Sequence, residues 1–295
     1  MKIKKIKIDE YNNLSAFLFS DKPETLIIAG MHGNEKTGVI LLNNIVKNLK
    51  VLDKKLPIAI IPCVNRHAYK SNTRLNLKDN LDLNRIFPAT YGKKFSHKLA
   101  RTLYKYAKGF STIIDIHVFP GEHTLLCGVD LNNPDKYLKN LTKKYMEFLG
   151  LEVICRMDKK NEPEKGGSLC GLLQESGKIA FGIELPPIEI LSFRDQKRIE
   201  NNFLSFIKNI KNINHKKISF FKRQKYFSKE EGNFSPKVFP GNKVSKGDLV
   251  GVLVNKKGER KNIFSPYKGL LISIAYKQKV SYNRRLFVVG KKLSS

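Results

Sequence analysis

Along most of the chain, apolar positions switch repeatedly between the period of a strand and that of a helix. Residues 3–8 and 14–19 alternate or cluster apolar side chains like two strands joined by a polar turn, and 25–29 reads as a buried strand. Residues 36–49 then carry Val39, Leu42, Ile45, Val46 and Leu49, the spacing of one helix face, and 57–64 is another strand. Helices near 94–108, 135–149 and 195–210, with strands at 113–117, 151–157 and 178–185, continue the alternation. Such an order predicts an α/β layer structure with ligands at the C-terminal ends of strands.

Two regions break this pattern. Residues 65–92 are polar and too long for an ordinary connection, which is the mark of a functional loop. After about residue 213 the chain turns to short strand-like runs separated by turn signals such as Phe239-Pro-Gly-Asn242 and Lys246-Gly-Asp248. The expected organisation is therefore a larger α/β domain over residues 1–213 and a small all-β domain over 214–295.

Composition narrows the classes. At 295 residues the chain can bury a full core, and no apolar run approaches the eighteen or so residues that a membrane span requires. Residues 1–8 alternate Lys with Ile instead of forming an unbroken apolar signal region, so a cytoplasmic location is expected. Four cysteines, widely spaced and with no C-x-x-C pair, suggest reduced thiols and no cysteine zinc knot. The formal charge of +29 would suit nucleic acid or an anionic surface, but it is carried mostly by Lys, spread over nearly every segment, and accompanied by no recognised binding motif. A small-molecule partner is the expectation, with neither membrane nor nucleic acid.

The chemistry is concentrated in four segments. In Ala29-Gly-Met-His-Gly-Asn-Glu-Lys-Thr-Gly38, His32 and Glu35 follow an apolar strand and offer an imidazole and a carboxylate to one point. Two His and one carboxylate commonly hold a divalent ion such as zinc, leaving a fourth position open. A second His ends the β-branched run Ile113-Ile-Asp-Ile-His117. Asn65-Arg-His-Ala-Tyr-Lys-Ser-Asn-Thr-Arg74 with Asp82-Leu-Asn-Arg-Ile-Phe-Pro88 lies between them, and Phe181-Gly-Ile-Glu-Leu185 follows. Glu184 is the only acidic residue of an otherwise apolar strand, where partial desolvation would raise its pKa toward the range of a general base and acid.

Taken in this order over residues 25–190, these segments resemble the succinylglutamate desuccinylase/aspartoacylase family of the zinc carboxypeptidase superfamily. The resemblance implies a zinc-carboxypeptidase-like mixed sheet flanked by helices, followed by a barrel-sandwich-like β module. It implies one zinc per chain held by His32, Glu35 and His117, Glu184 as the catalytic glutamate, and Arg74 as the group that polarises the scissile carbonyl. Asn84 and Arg85 would grip a substrate carboxylate, Asp82 would brace their loop, and Tyr282 would reach the site from the C-terminal module. Asp115 shares a strand face with His117 and can orient it; Glu189 is the weaker rival of Glu184, and His123 is a second candidate for the cleft wall.

One departure bears on substrate. Where aspartoacylases carry a further arginine and a tyrosine, alignment back from Glu184 places Gln174 and Cys170, so a second anionic pocket is not expected and a neutral acyl group is easier to accept. The expected activity is hydrolysis of an N-acyl amino acid. The alternatives are a metallocarboxypeptidase acting on peptides and a nucleic-acid or anionic-surface binding protein on a degenerate hydrolase scaffold.

Overall fold

The computed structural model describes residues 1–51, 55–130, 135–157, 167–209 and 218–293. In chain order, β1 (Lys2–Lys7), β2 (Asn13–Leu18) and β3 (Thr25–Ala29) lead to α1 (Lys36–Lys50), β4 (Ile58–Ile61), α2 (Arg66–Lys70) and a 3-10 turn at Leu83–Arg85. Next come α3 (Phe95–Ala107), β5 (Thr112–Val118), β6 (Glu122–Thr124), β7 (Cys127–Asp130), α4 (Lys136–Phe148), β8 (Val153–Arg156), α5 (Leu169–Glu175), β9 (Ile179–Leu185) and α6 (Phe193–Lys208). The long elements fall where their periodicity puts them. The short ones, α2, α5, β6 and β7, offer too few residues to show a period, and α5 carries Gly171 in its middle.

These strands lie side by side in the order β1-β2-β4-β3-β5-β9-β7-β8. The centre is parallel, with β3 between β4 and β5 and β9 beside β5; β1 and β2 are antiparallel additions at one edge. Alternation sorts side chains to the two faces. Ile27, Ala29, Ile114, Ile116, Phe181 and Ile183 pack under α1, α4 and α6, through residues such as Leu42, Ile45, Met146 and Phe203. Leu26, Ile28, Ile113 and Ala180 pack under α3 and α5, through Leu99, Leu103, Leu169 and Leu173. Truncating one fully buried residue such as Leu42 to Ala would cost ~2–5 kcal/mol. No helix among the described residues is long and apolar enough to cross a membrane.

The expected boundary between residues 213 and 214 lies outside the described residues. From residue 218 onward the described chain is all β: β10 (Phe220–Phe227), β11 (Gly232–Pro236), β12 (Lys243–Val244), β13 (Leu249–Asn255), β14 (Arg260–Phe264), β15 (Gly269–Ala275), β16 (Gln278–Val280) and β17 (Arg285–Lys292). β14, β13, β11 and β16 form a separate four-stranded sheet. The other C-terminal strands extend the large sheet, because β10 pairs in parallel with β8 and continues through β17, β15 and β12. β6, just after the His117 strand, pairs with β15.

Candidate active site

The site is built where β3, β5 and β9 end. Gly30, with φ +71°, turns the chain out of β3, and Gly33 lies so close to α2 that a Cβ there would fall 1.9 Å from the carbonyl carbon of Ala68. The Gly33 amide donates to Thr73 O at 2.9 Å, pinning the loop that carries His32 and Glu35. Glu35 occupies the N-cap position of α1 but does not cap it with its side chain. Its carboxylate turns inward instead: Oε1 lies 2.7 Å from His32 Nδ1, Oε2 lies 2.9 Å from His117 Nδ1, and Oε2 accepts the Val118 amide at 3.2 Å.

His32, Glu35 and His117 thus each offer a ligand atom within 4.8 Å of the others. Both imidazoles point Nδ1 toward Glu35 and are held by a second carboxylate at Nε2, His32 by Asp82 Oδ1 and His117 by Asp115 Oδ2, each at 2.9 Å. A carboxylate on the outer nitrogen fixes the tautomer and makes the inner nitrogen a better donor, as at histidine metal sites generally. Burial opposes charge on His32, but Glu35 and Asp82 outweigh it and raise its pKa; Asp115 and Glu35 raise that of His117 further. Despite its own burial, Glu35 is held far below the usual carboxylate range by the two imidazoles. A cation between these donors would displace the protons that now balance the carboxylates, so the donor set fits a divalent metal.

Glu184 stands opposite His117 in the β5–β9 register. Its Oε2 is buried with no hydrogen-bond partner, and burial pushes its carboxyl up to about 7. Arg74, half exposed at the rim, donates from Nε to Asp82 Oδ2 at 3.0 Å and reaches Glu35 Oε1 at 3.5 Å. Asp82 heads the 3-10 turn, accepting the Asn84 amide at 3.0 Å. Asn84 Oδ1 accepts the Leu169 amide at the start of α5, and its Nδ2 lies 3.4 Å from His117 Nε2. Arg85 Nη1 donates to Asn84 O at 2.9 Å.

These groups line a single cleft of about 500 Å³ that takes in His32, Glu35, Arg74, Asn84, Arg85, Asp115, His117 and Glu184. The far wall comes from the C-terminal strands and the turn before β17, through Arg223, Lys225, Phe227, Asn283, Arg284 and Arg285. Tyr282, expected in the site, is 69% exposed and does not line the cleft; its neighbours Asn283 and Arg284 do, the turn passing through Asn283 at φ +60°. Glu189 is exposed and outside the cleft. His123 packs against Phe239 and Tyr276 instead. Sequence reasoning gave Asp82 only a bracing part, although its spacing two residues before Asn84 on the site loop was a usable signal. No motif marked the C-terminal wall.

A mixed α/β sheet continued into antiparallel C-terminal strands is the aspartoacylase-like fold. The model of the succinylglutamate desuccinylase/aspartoacylase catalytic domain matches residues 21–210, and the chain belongs to that family. No curated protein sequence matches it. Among solved structures, an aspartoacylase family protein from Mesorhizobium loti superposes with a TM-score of 0.78 at 22% identity, covering 99% of this chain and 94% of the other. A succinylglutamate desuccinylase/aspartoacylase from Rhodobacter sphaeroides gives 0.78 at 17% identity, covering 96% and 90%. The product-bound ectoine utilization protein EutE from Ruegeria pomeroyi gives 0.77 at 18%, covering 94% and 88%.

Proposed function

We propose that the chain is a zinc-dependent amidohydrolase that removes the acyl group of an N-acyl amino acid. The observation that carries this is the convergence of His32, Glu35 and His117, each imidazole oriented by its own carboxylate, beside the Glu184 carboxyl that burial pushes up to about 7. When bound by these three residues, zinc supplies Lewis acidity toward a carbonyl and toward water.

The remaining work belongs to the chain's own groups. Ionised Glu184 accepts the proton of the attacking water and, as a carboxylic acid, returns it to the leaving amine; a pKa near the operating pH serves both halves. Arg74 supplies positive charge at the rim, where the carbonyl oxygen becomes negative. Arg85, with the amide of Asn84, presents the planar donor fork that suits a substrate carboxylate. Asp82 and Asp115 hold the rings of His32 and His117. Tyr282 has no part in this scheme.

A peptide substrate is the second reading, since a C-terminal carboxylate would use the same fork. The C-terminal wall favours small substrates, because Phe227, Asn283 and Arg284 close in a cleft of about 500 Å³. The test is a panel of N-acyl amino acids and dipeptides offered to the zinc-loaded protein. Hydrolysis of the former with little of the latter supports deacylation, and loss of that activity on amidating the α-carboxylate ties it to Asn84 and Arg85. Cleavage of peptides alone would replace the reading with a carboxypeptidase.

A further inference from the structure

β5 carries His117 beyond the stretch where both its neighbours support it. Its pairing with β3 stops at Ile116, opposite Ala29. From His117 onward the strand is held by β9 alone, as far as the Phe119 amide on Leu185 O at 3.3 Å. That one-sided end nevertheless places His117 Nδ1 2.9 Å from Glu35 Oε2 and the Val118 amide 3.2 Å from the same oxygen. A tight turn follows it. The Glu122 amide donates to Phe119 O at 3.2 Å around Pro120 and Gly121, and Gly121 has φ +77°, the signature of a type II turn with Pro and Gly at its centre. Those two residues give the turn its shape, but nothing in them fixes where it lies.

Its place is fixed from the C-terminal strands. Arg284 Nη2 donates to Pro120 O at 2.6 Å, Gln278 Nε2 donates to Gly121 O at 2.6 Å, and the Tyr276 amide donates to the same Gly121 oxygen at 3.2 Å. Arg285 grips the Glu122 carboxylate at 2.8 and 2.9 Å, with its guanidinium 4.4 Å from the centre of the Phe119 ring. The fit leaves no room for a side chain at Gly121, where a Cβ would fall 2.9 Å from Arg284 Nη2. Arg284 is itself held: its carbonyl oxygen accepts the Ser228 amide at 2.8 Å, and the Asn283 amide donates to Ser228 O at 2.9 Å. Of the bonds to the turn's two central carbonyls, only that of the half-buried Arg284 is charge-assisted, and such bonds are roughly twice as strong as neutral ones.

We propose that Arg284 is a positioning residue of the metal centre: by holding the turn at Phe119–Glu122 it sets the one-sided end of β5, and through it the seat of His117 and of the Val118 amide on Glu35. This rests on the reading of His32, Glu35 and His117 as zinc ligands. The C-terminal strands then complete the centre without supplying a ligand to it.

The experiment uses Arg284→Met and Gln278→Met in the full chain. Gln278 does not line the cleft, so it can reach the centre only through the turn. In the metal-free protein, amide exchange over residues 115–122 should rise on the order of 10- to 100-fold in Arg284→Met and about 2- to 10-fold in Gln278→Met, the difference between losing a charged and a neutral hydrogen bond, while exchange in β3 stays at the wild-type rate. Zinc affinity, measured in competition with a chelator, should fall in the same order, on the order of tenfold for Arg284→Met, with Arg284→Lys restoring part of it. Removing a cation from the cleft would by itself strengthen zinc binding, so weakening has the sign of lost positioning and not of lost charge. Wild-type exchange over 115–122 in both Met variants would overturn the proposal. Faster exchange with wild-type zinc affinity, or weaker zinc binding in Arg284→Met but not in Gln278→Met, would overturn the positioning role and leave the zinc reading standing. A wild-type protein that binds no zinc, with both variants loosening the segment, would overturn the zinc reading and keep the hold of Arg284 on the turn.

Discussion

Glu184→Gln should abolish turnover and, at the same time, stabilise the metal-free fold above neutral pH. The carboxyl lies in an apolar strand with one oxygen buried and unpartnered, which moves its pKa from 4.5 in an unfolded chain to about 7. Below pH 4.5 the group is protonated in both states and costs nothing. Between 4.5 and 7 the folded chain holds a proton that the unfolded chain has released, so stability falls as pH rises through this window. Above 7 the ionised group penalises the fold by at most about 3.5 kcal/mol, since each pKa unit is worth about 1.4 kcal/mol. Glutamine has the same shape and no charge to desolvate. At pH 8 the metal-free variant should therefore melt several degrees above metal-free wild type, at roughly 2–4 °C per kcal/mol for a chain of this size, with the gap closing by pH 4.5. Turnover of the zinc-loaded variant should drop on the order of a hundredfold or more. The assay is paired thermal melts across pH with rates on any substrate found. A variant that melts below wild type at pH 8, or one that keeps near-wild-type turnover, would refute the reasoning.

Four further outcomes follow from the site. Wild-type protein should bind about one zinc per chain and the His32→Ala/Glu35→Ala double variant close to none; full stoichiometric zinc in that variant would remove these residues as ligands. Asp82→Asn and Asp115→Asn should each weaken zinc binding on the order of 10- to 100-fold in competition with a chelator, because each frees one imidazole from its oriented tautomer. Arg85→Ala should chiefly raise KM and Arg74→Ala chiefly lower kcat, since a carboxylate contact serves ground and transition states alike while a cation near the carbonyl gains strength as charge develops; identical kinetic signatures would merge their roles. Glu122→Gln should cost about 3–5 kcal/mol in denaturant unfolding, because it leaves the Arg285 guanidinium beside an uncharged amide.

The long helices could be read from periodicity because each buries one face on the sheet, α1 with the five residues its spacing picks out, and the central strands as short apolar runs because both their faces are covered. His32, Glu35, His117 and Glu184 were legible for a related reason. Each sits at or just beyond the end of an apolar strand, where a polar residue is conspicuous. The pairing of Asp82 with His32 was not, because it joins residues fifty apart through a loop whose course depends on Gly33 packing against α2. Arg284 was hidden for a stronger reason. In sequence it is one cation in a chain full of them, and only the turn held on Ser228 turns it toward the cleft. Tyr282, two residues away, is the side chain the resemblance implies for this wall, and it faces solvent.

The parallel pairing of β8 with β10 joins the two halves of the sheet along one continuous ladder. Ending an expressed chain after α6 would leave β8 as a bare edge of buried apolar residues, Val153, Ile154 and Cys155, and would strip β6 of its partner on β15. An edge of that kind recruits strands from other molecules. The α/β part made alone is therefore expected to form insoluble assemblies instead of a weakened enzyme. During synthesis the same edge stays open until β10 and β17 emerge, a long-range closure that sets this chain among the slow folders.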